Sequence, residues 1–453
     1  MSSFWDRPGG QNQYIAAFFA SLSVFTCGAT IGWAAPAQIE VMEKKYYGFP
    51  VSLTEYAWTC ALATLGCGLT VMPAGALANC VGRKVAMLLL MPPYLAGWAL
   101  TIYPINLYLL MFSRLLQGLC SGFYAMITPI YCLEISQLEV KSYIVNFTMV
   151  FYLMGILYSY ILGTVNDMLY LNCGCAVFPA LFLLTFIWMP ESPVYYVLKD
   201  KKMKAIRSLQ WLRGTHMDVL REYDHIFKGI EQIRENSSYT CRKLKHKASI
   251  RAMLTCICLM GFKHLCGSVA ILTYSTLILT DADSQIFLNV KVSTIFIGLS
   301  FLLSGIISLI DCAGHRILMI WSVVMVALNC TVQATYFQLK DNHEYAIQWL
   351  PIVNLCCFFF FFGLGVGVLP YVIMRKYFGE NIDVMAYSII WTFNCLFAFA
   401  SALLFPYLLQ IGNMSLCFWI FTAIAFLYLI FVYFFVPETK GKTYAEIKEM
   451  LNN

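Results

Sequence analysis

Residues 348–374 read QWLPIVNLCCFFFFFGLGVGVLPYVIM, a run of 27 residues without a charged side chain. A helix needs about 20 predominantly apolar residues to cross the roughly 30 Å hydrocarbon layer of a bilayer. A strand of a membrane barrel would instead show about ten residues of alternating polarity. The segment therefore predicts a membrane-spanning helix.

Eleven other segments have the same character, so we predict twelve membrane spans. The spans are 14–34, 57–77, 86–104, 108–131, 146–165, 175–189, 252–278, 292–310, 316–337, 348–374, 386–409 and 416–436. The whole chain of 453 residues is 60% hydrophobic and only 12% charged, whereas soluble domains are about 45–50% apolar and 25% charged. The composition excludes a water-soluble protein and predicts an all-α membrane fold.

Lysine and arginine are distributed unevenly between the two sides of these spans. Of the 30 basic residues, the even-numbered connections and the termini hold 24, the odd-numbered connections hold four, and two lie inside spans. Even without the long sixth connection the division is ten against four. The positive-inside rule then predicts a multi-pass protein of the cell membrane with both termini in the cytoplasm. The net charge of +6 describes a membrane face and predicts no nucleic-acid partner.

A polar segment divides the twelve spans into two groups of six. We predict an N-terminal six-helix bundle over 1–193, a cytoplasmic linker over 194–251, and a C-terminal six-helix bundle with a short cytoplasmic tail over 252–453. Apolar side chains recur within the linker at helical spacing: Met203, Ile206, Leu209 and Leu212. This pattern favours short amphipathic helices on the membrane face. The alternative is a disordered basic linker.

Three short motifs occur in the same order in both halves. They are NCVGRK at 79–84 and DCAGHR at 311–316, PIYCLE at 129–134 and PYVIMRK at 370–376, and PESP at 190–193 and PETK at 437–440. Their matching positions, after or at the ends of corresponding spans, indicate a parallel internal repeat. Such a repeat is typical of transporters whose two halves move about a binding site near the middle of the membrane.

These motifs carry a family resemblance, together with GATIGWAAP at 28–36, the arginine and glycines at 114, 118 and 122, and GLGVG at 363–367. Over essentially its whole length the chain resembles the sugar-porter branch of the major facilitator superfamily, and in particular insect facilitated trehalose and hexose transporters. The resemblance implies a fold of two six-helix halves. It also implies uniport of a hexose, or of a disaccharide such as trehalose, by alternating access.

The expected partners are a small-molecule solute and the lipid bilayer, and we expect the chain to function as a monomer without a cofactor. No paired acid and base, nucleophile or phosphate-binding loop lies in the predicted solute path, so we do not expect an enzyme. No CxxC pair or Cys/His spacing of a metal site is present either. The first span lacks the aspartate that proton-coupled sugar porters use, which favours passive transport.

The resemblance also implies a network of charges at the cytoplasmic helix ends that locks the outward-open state. Its expected members are Arg83, Lys84, Glu134, Lys141, Glu191, Asp311, Arg316, Lys376, Asp383 and Glu438. Ordinary interfacial anchoring, worth about 0–1 kcal/mol for each exposed pair, is the alternative. The order of charges is reversed between the halves, with an acid before a base in the first half and Lys376 before Asp383 in the second. The lock of the second half is therefore expected to be weaker or rewired.

At the positions where the family carries sugar-binding amides, this chain has other side chains. Aligned on Gly155 and on Gly267, the family's glutamines become Met149 in the fifth span and Lys263 and His264 in the seventh. An aromatic ring is kept in the tenth span, where tyrosine replaces tryptophan, and the asparagine of the eleventh span is retained. We predict that the solute path includes Met149, Lys263, His264, Tyr274, Tyr371 and Asn394.

Lys263 is the least expected of these residues, because it lies near the middle of the seventh span. An ammonium group there costs about 2.5 kcal/mol or more, so we expect it to face the cavity. One hypothesis is that Lys263 and His264 contact an anionic or carboxylated solute. The alternative is a hydrated, neutral or snorkelling lysine. Two other functions therefore stay open beside sugar uniport: a carrier of a non-sugar, anionic solute, and a ligand sensor of the same fold that does not transport.

Overall fold

The computed structural model of the protein is almost entirely helical. It describes residues 11–42, 46–137, 139–165, 167–214, 219–236, 247–284, 287–308, 314–341, 347–378, 384–442, 446–447 and 449–450. Over these residues twelve helical segments are long and apolar enough to cross a membrane. The predicted all-α membrane fold with twelve spans is therefore confirmed.

The helices fall into two sets of six spans with a group of short helices between them. The first set contains α1 (Gln11–Gly32), α2 (Ala34–Met42), α3 (Leu53–Val81), α4 (Arg83–Leu89), α5 (Met91–Ile102), α6 (Leu107–Ile135), α7 (Lys141–Leu162) and α8 (Met168–Phe186). The connecting helices are α9 (Pro193–Leu198), α10 (Lys202–Arg213) and α11 (Val219–Asn236). The second set contains α12 (Lys247–Leu265), α13 (Ser268–Asp281), α14 (Val290–Ile307), α15 (His315–Asp341), α16 (Leu350–Leu364), α17 (Leu369–Phe378), α18 (Val384–Ile411) and α19 (Met414–Phe435).

The seventh span is broken between α12 and α13. Gly267 has a φ of +95° at the break, a left-handed conformation that glycine adopts without steric cost. The carbonyl of Lys263 there accepts hydrogen bonds from Ser268 Oγ at 2.8 Å and Cys266 Sγ at 3.1 Å. Because backbone groups inside a membrane need internal partners, these side chains stabilise the break.

The tenth span is broken as well, at the glycine-rich segment between α16 and α17. Ser322 of α15 donates to the carbonyl of Phe361 at 2.6 Å and accepts from the backbone N–H of Val366 at 3.0 Å. A side chain on Gly365 would overlap that of Ser322. The glycines therefore allow one helix to end against its neighbour, and a serine satisfies the groups that the break exposes.

The two ends of the helix bundle can be told apart by contacts between helix ends. At one end, the backbone N–H of Arg83 donates to Glu191 Oε1 at 3.0 Å, and Arg213 donates to the carbonyl of Ile135 at 2.8 Å. This end also carries the start of α1 and the end of α19, and we call it the terminal face. We call the other end, which carries the connection after α2, the opposite face.

The connecting helices pack on the first half at the terminal face. Arg213 is only 1% exposed, and it pairs with Glu222 at 2.7 Å and donates to Gln13 Oε1 at 3.1 Å. Of the apolar residues that predicted helices here, Leu209 and Leu212 are fully buried, whereas Met203 is exposed. Helical structure was therefore the right expectation for α10, and its buried side lies toward the first half.

A cavity between the two halves

The two halves contact each other along three main pairs of helices, α3 with α18, α7 with α14 and α2 with α13. The first two contacts are close, because a Cβ on Gly68 would lie 3.1 Å from Cys395 Cβ and one on Gly298 would lie 3.0 Å from the Tyr160 ring. Between these contacts lies a cavity of about 260 Å³, lined by helices of both halves. The halves therefore meet along their sides and leave a space between them.

The cavity extends from the middle of the spans toward the terminal face. Its middle part is lined by Cys27 of α1 and Lys263 of α12. Farther along it is lined by Asn146, close to the start of α7, and by Arg375, close to the end of α17. Both of these helix ends belong to the terminal face, so the cavity opens in that direction.

Lys263 projects from α12 against the aromatic ring of Tyr371 on α17. Lys263 is 6% exposed, and its Nζ donates to the Tyr371 hydroxyl at 2.9 Å and lies 4.3 Å from the centre of the ring. A cation over the face of an aromatic ring is stabilised by the ring quadrupole. The ring and hydroxyl of Tyr371 thus hold the ammonium group against the cavity wall.

A hydrogen-bonded chain continues from this pair to α18. His264 Nε2 lies 2.8 Å from Asn394 Oδ1, and the Tyr371 hydroxyl donates to the same oxygen at 3.4 Å. His264, Tyr371 and Asn394 all line the cavity, as does Lys263. Three helices of the second half therefore bring four of the predicted site residues into one polar group.

The other two predicted site residues, Met149 and Tyr274, are not part of this polar group. Met149 lines the facing wall of the cavity, on α7 of the first half. Tyr274 is fully buried in the second half, where its hydroxyl donates to the carbonyl of Ala402 at 3.0 Å and its ring stacks 5.3 Å from that of Phe405. Tyr274 is not among the residues that line the cavity. In the described structure, both its hydroxyl and its ring are engaged by α18.

Two aromatic residues of α18 that were not predicted from the sequence complete the wall. The ring of Trp391 lies 5.0 Å from that of Tyr371 and stacks on Tyr387 with a centroid distance of 5.9 Å. Both Tyr387 and Trp391 line the cavity. Their spacing from Asn394, of seven and three residues, puts all three on one side of a helix. That spacing was available in the sequence.

At the terminal face of the first half, charged groups pair within that half. Arg83 Nη2 lies 2.8 Å from Glu134 Oε1, and Ser192 Oγ donates to the other oxygen of the same carboxylate. Glu191 accepts the backbone N–H groups of Arg83 and Lys84, each at 3.0 Å, and therefore caps the start of α4. The ammonium group of Lys84 donates instead to the carbonyl of Ile187 at 2.7 Å.

The second half repeats the cap with a different set of side chains. Glu438 Oε1 accepts the N–H of His315 at 3.1 Å and Glu438 Oε2 that of Arg316 at 3.2 Å, at the start of α15. Arg316 also donates to the carbonyl of Tyr433. Where the first half has Glu134, the second has Lys376, whose Nζ donates to the carbonyl of Thr439 at 3.4 Å.

The resemblance implies that basic side chains bind Glu191 and Glu438 in the outward-open state. In the described structure, main-chain N–H groups reach both carboxylates. A negative charge at the start of a helix is favourable, because the helix dipole is positive there. Lys141 begins α7 and is half-buried. Two members of the expected network, Asp311 and Asp383, lie outside the described residues.

At the opposite face, a buried ion pair joins the two halves. Lys291 Nζ of α14 lies 2.7 Å from Glu40 Oε1 of α2, and the two side chains are only 8% and 6% exposed. Nearby, the hydroxyl of Tyr160 donates to the carbonyl of Leu272 at 3.0 Å, again from the first half to the second. Lys291 is one of the four basic residues of the odd-numbered connections. The cavity is thus closed at the opposite face by contacts between the halves.

Comparison with known proteins identifies relatives of the whole chain. Residues 15–451 match a family model described as sugar (and other) transporter. The facilitated trehalose transporter Tret1 of Anopheles gambiae is 29% identical over 445 residues, which are 97% of the present chain and 56% of that protein. Tret1 of Bombyx mori is 28% identical over 445 residues, 97% of this chain and 87% of that one. The chain thus spans about half the length of the first relative and most of the second.

Among solved structures, the chain is similar to the inward-open conformation of the xylose transporter XylE from E. coli. The TM-score is 0.80 at 17% sequence identity, and the match covers 97% of this chain and 99% of that one. At such an identity the likeness concerns the fold. It agrees with the twelve helical spans in two sets of six.

Proposed function

Because the chain belongs to the sugar (and other) transporter family, we propose that it is a facilitative carrier that moves a sugar across a membrane by alternating access. One observation carries this proposal. The cavity between the halves extends to the terminal face, while buried contacts join the halves at the opposite face. A site that is reached from one side at a time, at the interface of two repeats, is what alternating access requires.

The proposed substrate is a hexose or a disaccharide such as trehalose. Relatives at 28–29% identity are facilitated trehalose transporters, which supports this class. In the cavity, Tyr371 and Trp391 offer an aromatic wall, and His264 and Asn394 lie beside it. Apolar rings with a few placed polar groups are typical of sites for small organic ligands. We assign no enzymatic step to these residues.

We further propose that the terminal face is cytoplasmic and that the protein lies in the cell membrane. The ten-to-four division of basic residues supports this orientation. It makes the observed arrangement an inward-open state. A monomer suffices for the proposed function, because one chain supplies both walls of the cavity.

Two natural cysteines test the orientation. Cys173 of α8 lies near the opposite face, Cys80 near the terminal face, and both are exposed. A membrane-impermeant maleimide should therefore label Cys173 in intact cells and Cys80 only after permeabilisation. The variants Cys173→Ser and Cys80→Ser identify the two signals. Labelling of Cys80 from outside intact cells would reverse the proposed orientation.

We also propose that the charges at the terminal face lock the outward-open state. In the described inward-open arrangement the terminal-face hydrogen bonds named above lie within one half each. That is the arrangement expected when such a lock is open. Closing the cavity would bring the ends of α6 and α17 toward each other, and Glu134 and Lys376 occupy equivalent positions on them with opposite charge.

Transport is tested with purified protein in proteoliposomes at zero membrane potential. Labelled trehalose and labelled glucose are supplied separately, and uptake is followed against empty liposomes. The proposal expects saturable uptake down the gradient, acceleration by unlabelled sugar on the other side, and no dependence on a proton gradient. Trp391→Ala, which removes part of the aromatic wall, should lower uptake. Trp321→Ala is the matched control, because Trp321 is exposed on the outside of the bundle.

A different outcome would identify one of the other functions. Thermal stabilisation by sugars without any flux would indicate a ligand sensor of the same fold. Absence of both flux and stabilisation over the panel would overturn the proposal of a sugar carrier.

A further inference from the structure

The cavity has an unbalanced charge. Its described lining includes two cationic side chains, Lys263 in the middle and Arg375 toward the terminal face, and no aspartate or glutamate. Lys263 is held by the hydroxyl and ring of Tyr371, neither of which neutralises its charge. A cavity lined by one sign of charge inside low-dielectric walls concentrates solutes of the opposite sign.

The groups around Lys263 offer more hydrogen-bond donors than free acceptors. An ammonium group has three N–H donors, and one of them is used by Tyr371. The indole N–H of Trp391 is buried without a hydrogen-bond partner in the described structure. The carbonyl oxygen of Asn394 is approached by both His264 and Tyr371. The site therefore has N–H donors that are not used within the protein, whereas the amide oxygen of Asn394 already accepts hydrogen bonds.

One ring nitrogen of His264 can serve as a hydrogen-bond acceptor in this group. His264 Nδ1 is buried and has no partner in the described structure, while Nε2 faces the oxygen of Asn394. When Nε2 carries the proton, Nδ1 is an acceptor. The group then combines an ammonium, an indole donor and one neutral acceptor beside an aromatic wall. A neutral sugar, whose hydroxyls each donate and accept, would leave the ammonium charge without a counterion.

We propose that the preferred substrates are sugars that bear a carboxylate, such as uronic acids, with the carboxylate on Lys263 and Trp391 and a hydroxyl on His264 Nδ1. This inference rests on the proposed sugar carrier and specifies which sugars it prefers. A carboxylate is the acceptor-only group that matches spare N–H donors, and charge-assisted hydrogen bonds of this kind are about twice as strong as neutral ones. Arg375 lies along the path from the terminal face.

Three sugars of nearly the same shape test the assignment: D-glucose, D-glucuronate and D-glucuronamide. They differ at C6, which carries a hydroxyl, a carboxylate or an uncharged amide. In proteoliposomes at zero potential, each is measured as a competitor of the labelled sugar that the wild type moves, glucose or trehalose. We expect glucuronate to inhibit at concentrations about tenfold or more below those of glucose and of glucuronamide.

Variants of Lys263 show whether this preference depends on its charge. Lys263→Met should abolish the preference for glucuronate over glucuronamide, measured as the ratio of the concentrations at which the two sugars inhibit uptake by the same variant. Lys263→Arg should keep the preference. The matched control is Lys340→Met, because Lys340 is a half-buried lysine at the opposite face and outside the cavity. The methionine variant should fold, since an apolar side chain at a buried charged position is often neutral or stabilising.

The outcomes separate this inference from the proposed function. If glucose or trehalose moves and glucuronate competes no better than glucuronamide, the carboxylate assignment is overturned and the sugar carrier stands. A preference for glucuronate that survives in Lys263→Met also overturns the assignment to Lys263. If none of the sugars moves or stabilises the protein, the proposed function fails and the inference fails with it.

Discussion

The two ends of the boundary between the halves are held by different kinds of contact. At the opposite face, the pair of Lys291 and Glu40 crosses from one half to the other and is almost completely buried. At the terminal face, the pair of Arg83 and Glu134 lies within the first half, and Glu438 caps a helix within the second. Charge therefore joins the halves at one end and stabilises each half separately at the other.

This difference shows how the conformation is selected. A buried pair that exists only when the halves touch stabilises that closure, whereas a pair inside one half is kept in every state that leaves the half intact. Two states exchange according to their differential contacts, so the crossing pair biases the equilibrium toward closure at the opposite face. The following substitutions test this distinction, from the largest expected effect to the smallest.

Lys291→Gln should have the largest effect, because it removes one partner of the buried crossing pair. We expect a loss on the order of 3 kcal/mol for the state closed at the opposite face. Cys67, which lines the cavity, should then react faster with an impermeant thiol reagent added at the opposite face, measured in a Cys173→Ser background. The exchanged pair Glu40→Lys with Lys291→Glu should restore slow labelling. Unchanged labelling in the single variant would contradict the role of this pair.

Arg83→Gln should lower the stability of the first half. Its pair with Glu134 is 6% and 13% exposed and lies in one half, so we expect a loss of about 2 kcal/mol in the free energy of unfolding. Arg316→Gln is the equivalent change in the second half, where the guanidinium binds a carbonyl near the surface, and should cost about 1 kcal/mol or less. Thermal unfolding in detergent measures both. Equal losses would show that the halves are not as different as their charges indicate.

Glu438→Gln should cost about 1 kcal/mol, since it weakens the cap of α15. Burial acts to raise the pKa of Glu438, but N–H donors from Lys440, Thr439, Arg316 and His315 outweigh it and leave the pKa below its usual value of 4.5. A lowered pKa means that the carboxylate stabilises the fold at neutral pH. This contribution is lost as the pH falls below 4.5 and through the folded-state value.

The glutamine variant should therefore lose less stability than the wild type when the pH falls from 7 to below 4.5. Melting temperatures at the two pH values measure this difference. A variant with the same acid dependence as the wild type would show that other groups determine it.

Lys340→Gln should have the smallest effect, although it also lies at the opposite face. Its partner Asp283 belongs to the same half, and the two side chains are 27% and 52% exposed. An exposed pair of this kind contributes about 0–1 kcal/mol. Neither cavity labelling nor the melting temperature should change by more than a small amount. A change in the labelling rate as large as that of Lys291→Gln would mean that a charge at this face is sufficient, and that the effect does not depend on a buried pair between the halves.

Much of the architecture could be predicted from local sequence. The length of an apolar run decides whether a helix can span a bilayer, and neighbouring segments do not alter that property. For the same reason the twelve spans and the helical linker segment α10 agree with expectation. Breaks inside spans were not predicted, because they depend on partners such as Ser322, which lies more than forty residues from Val366.

The site was predictable in part. Lys263, His264, Tyr371 and Asn394 could be selected because each stands at a position where the family has a functional side chain. Tyr274 was selected by the same argument but is engaged by the Ala402 carbonyl. Trp391 was missed, although its helical spacing from Asn394 was visible in the sequence.

The sequence by itself determined that this chain spans a membrane twelve times in two related halves, since apolar length and motif order are properties read along the chain. It also identified a lysine where a charge is costly. The tertiary structure alone decided which charges meet. Glu40 and Lys291 are 251 residues apart, and only the packing of the two halves brings them together, closes one end of the cavity, and leaves Lys263 facing its interior.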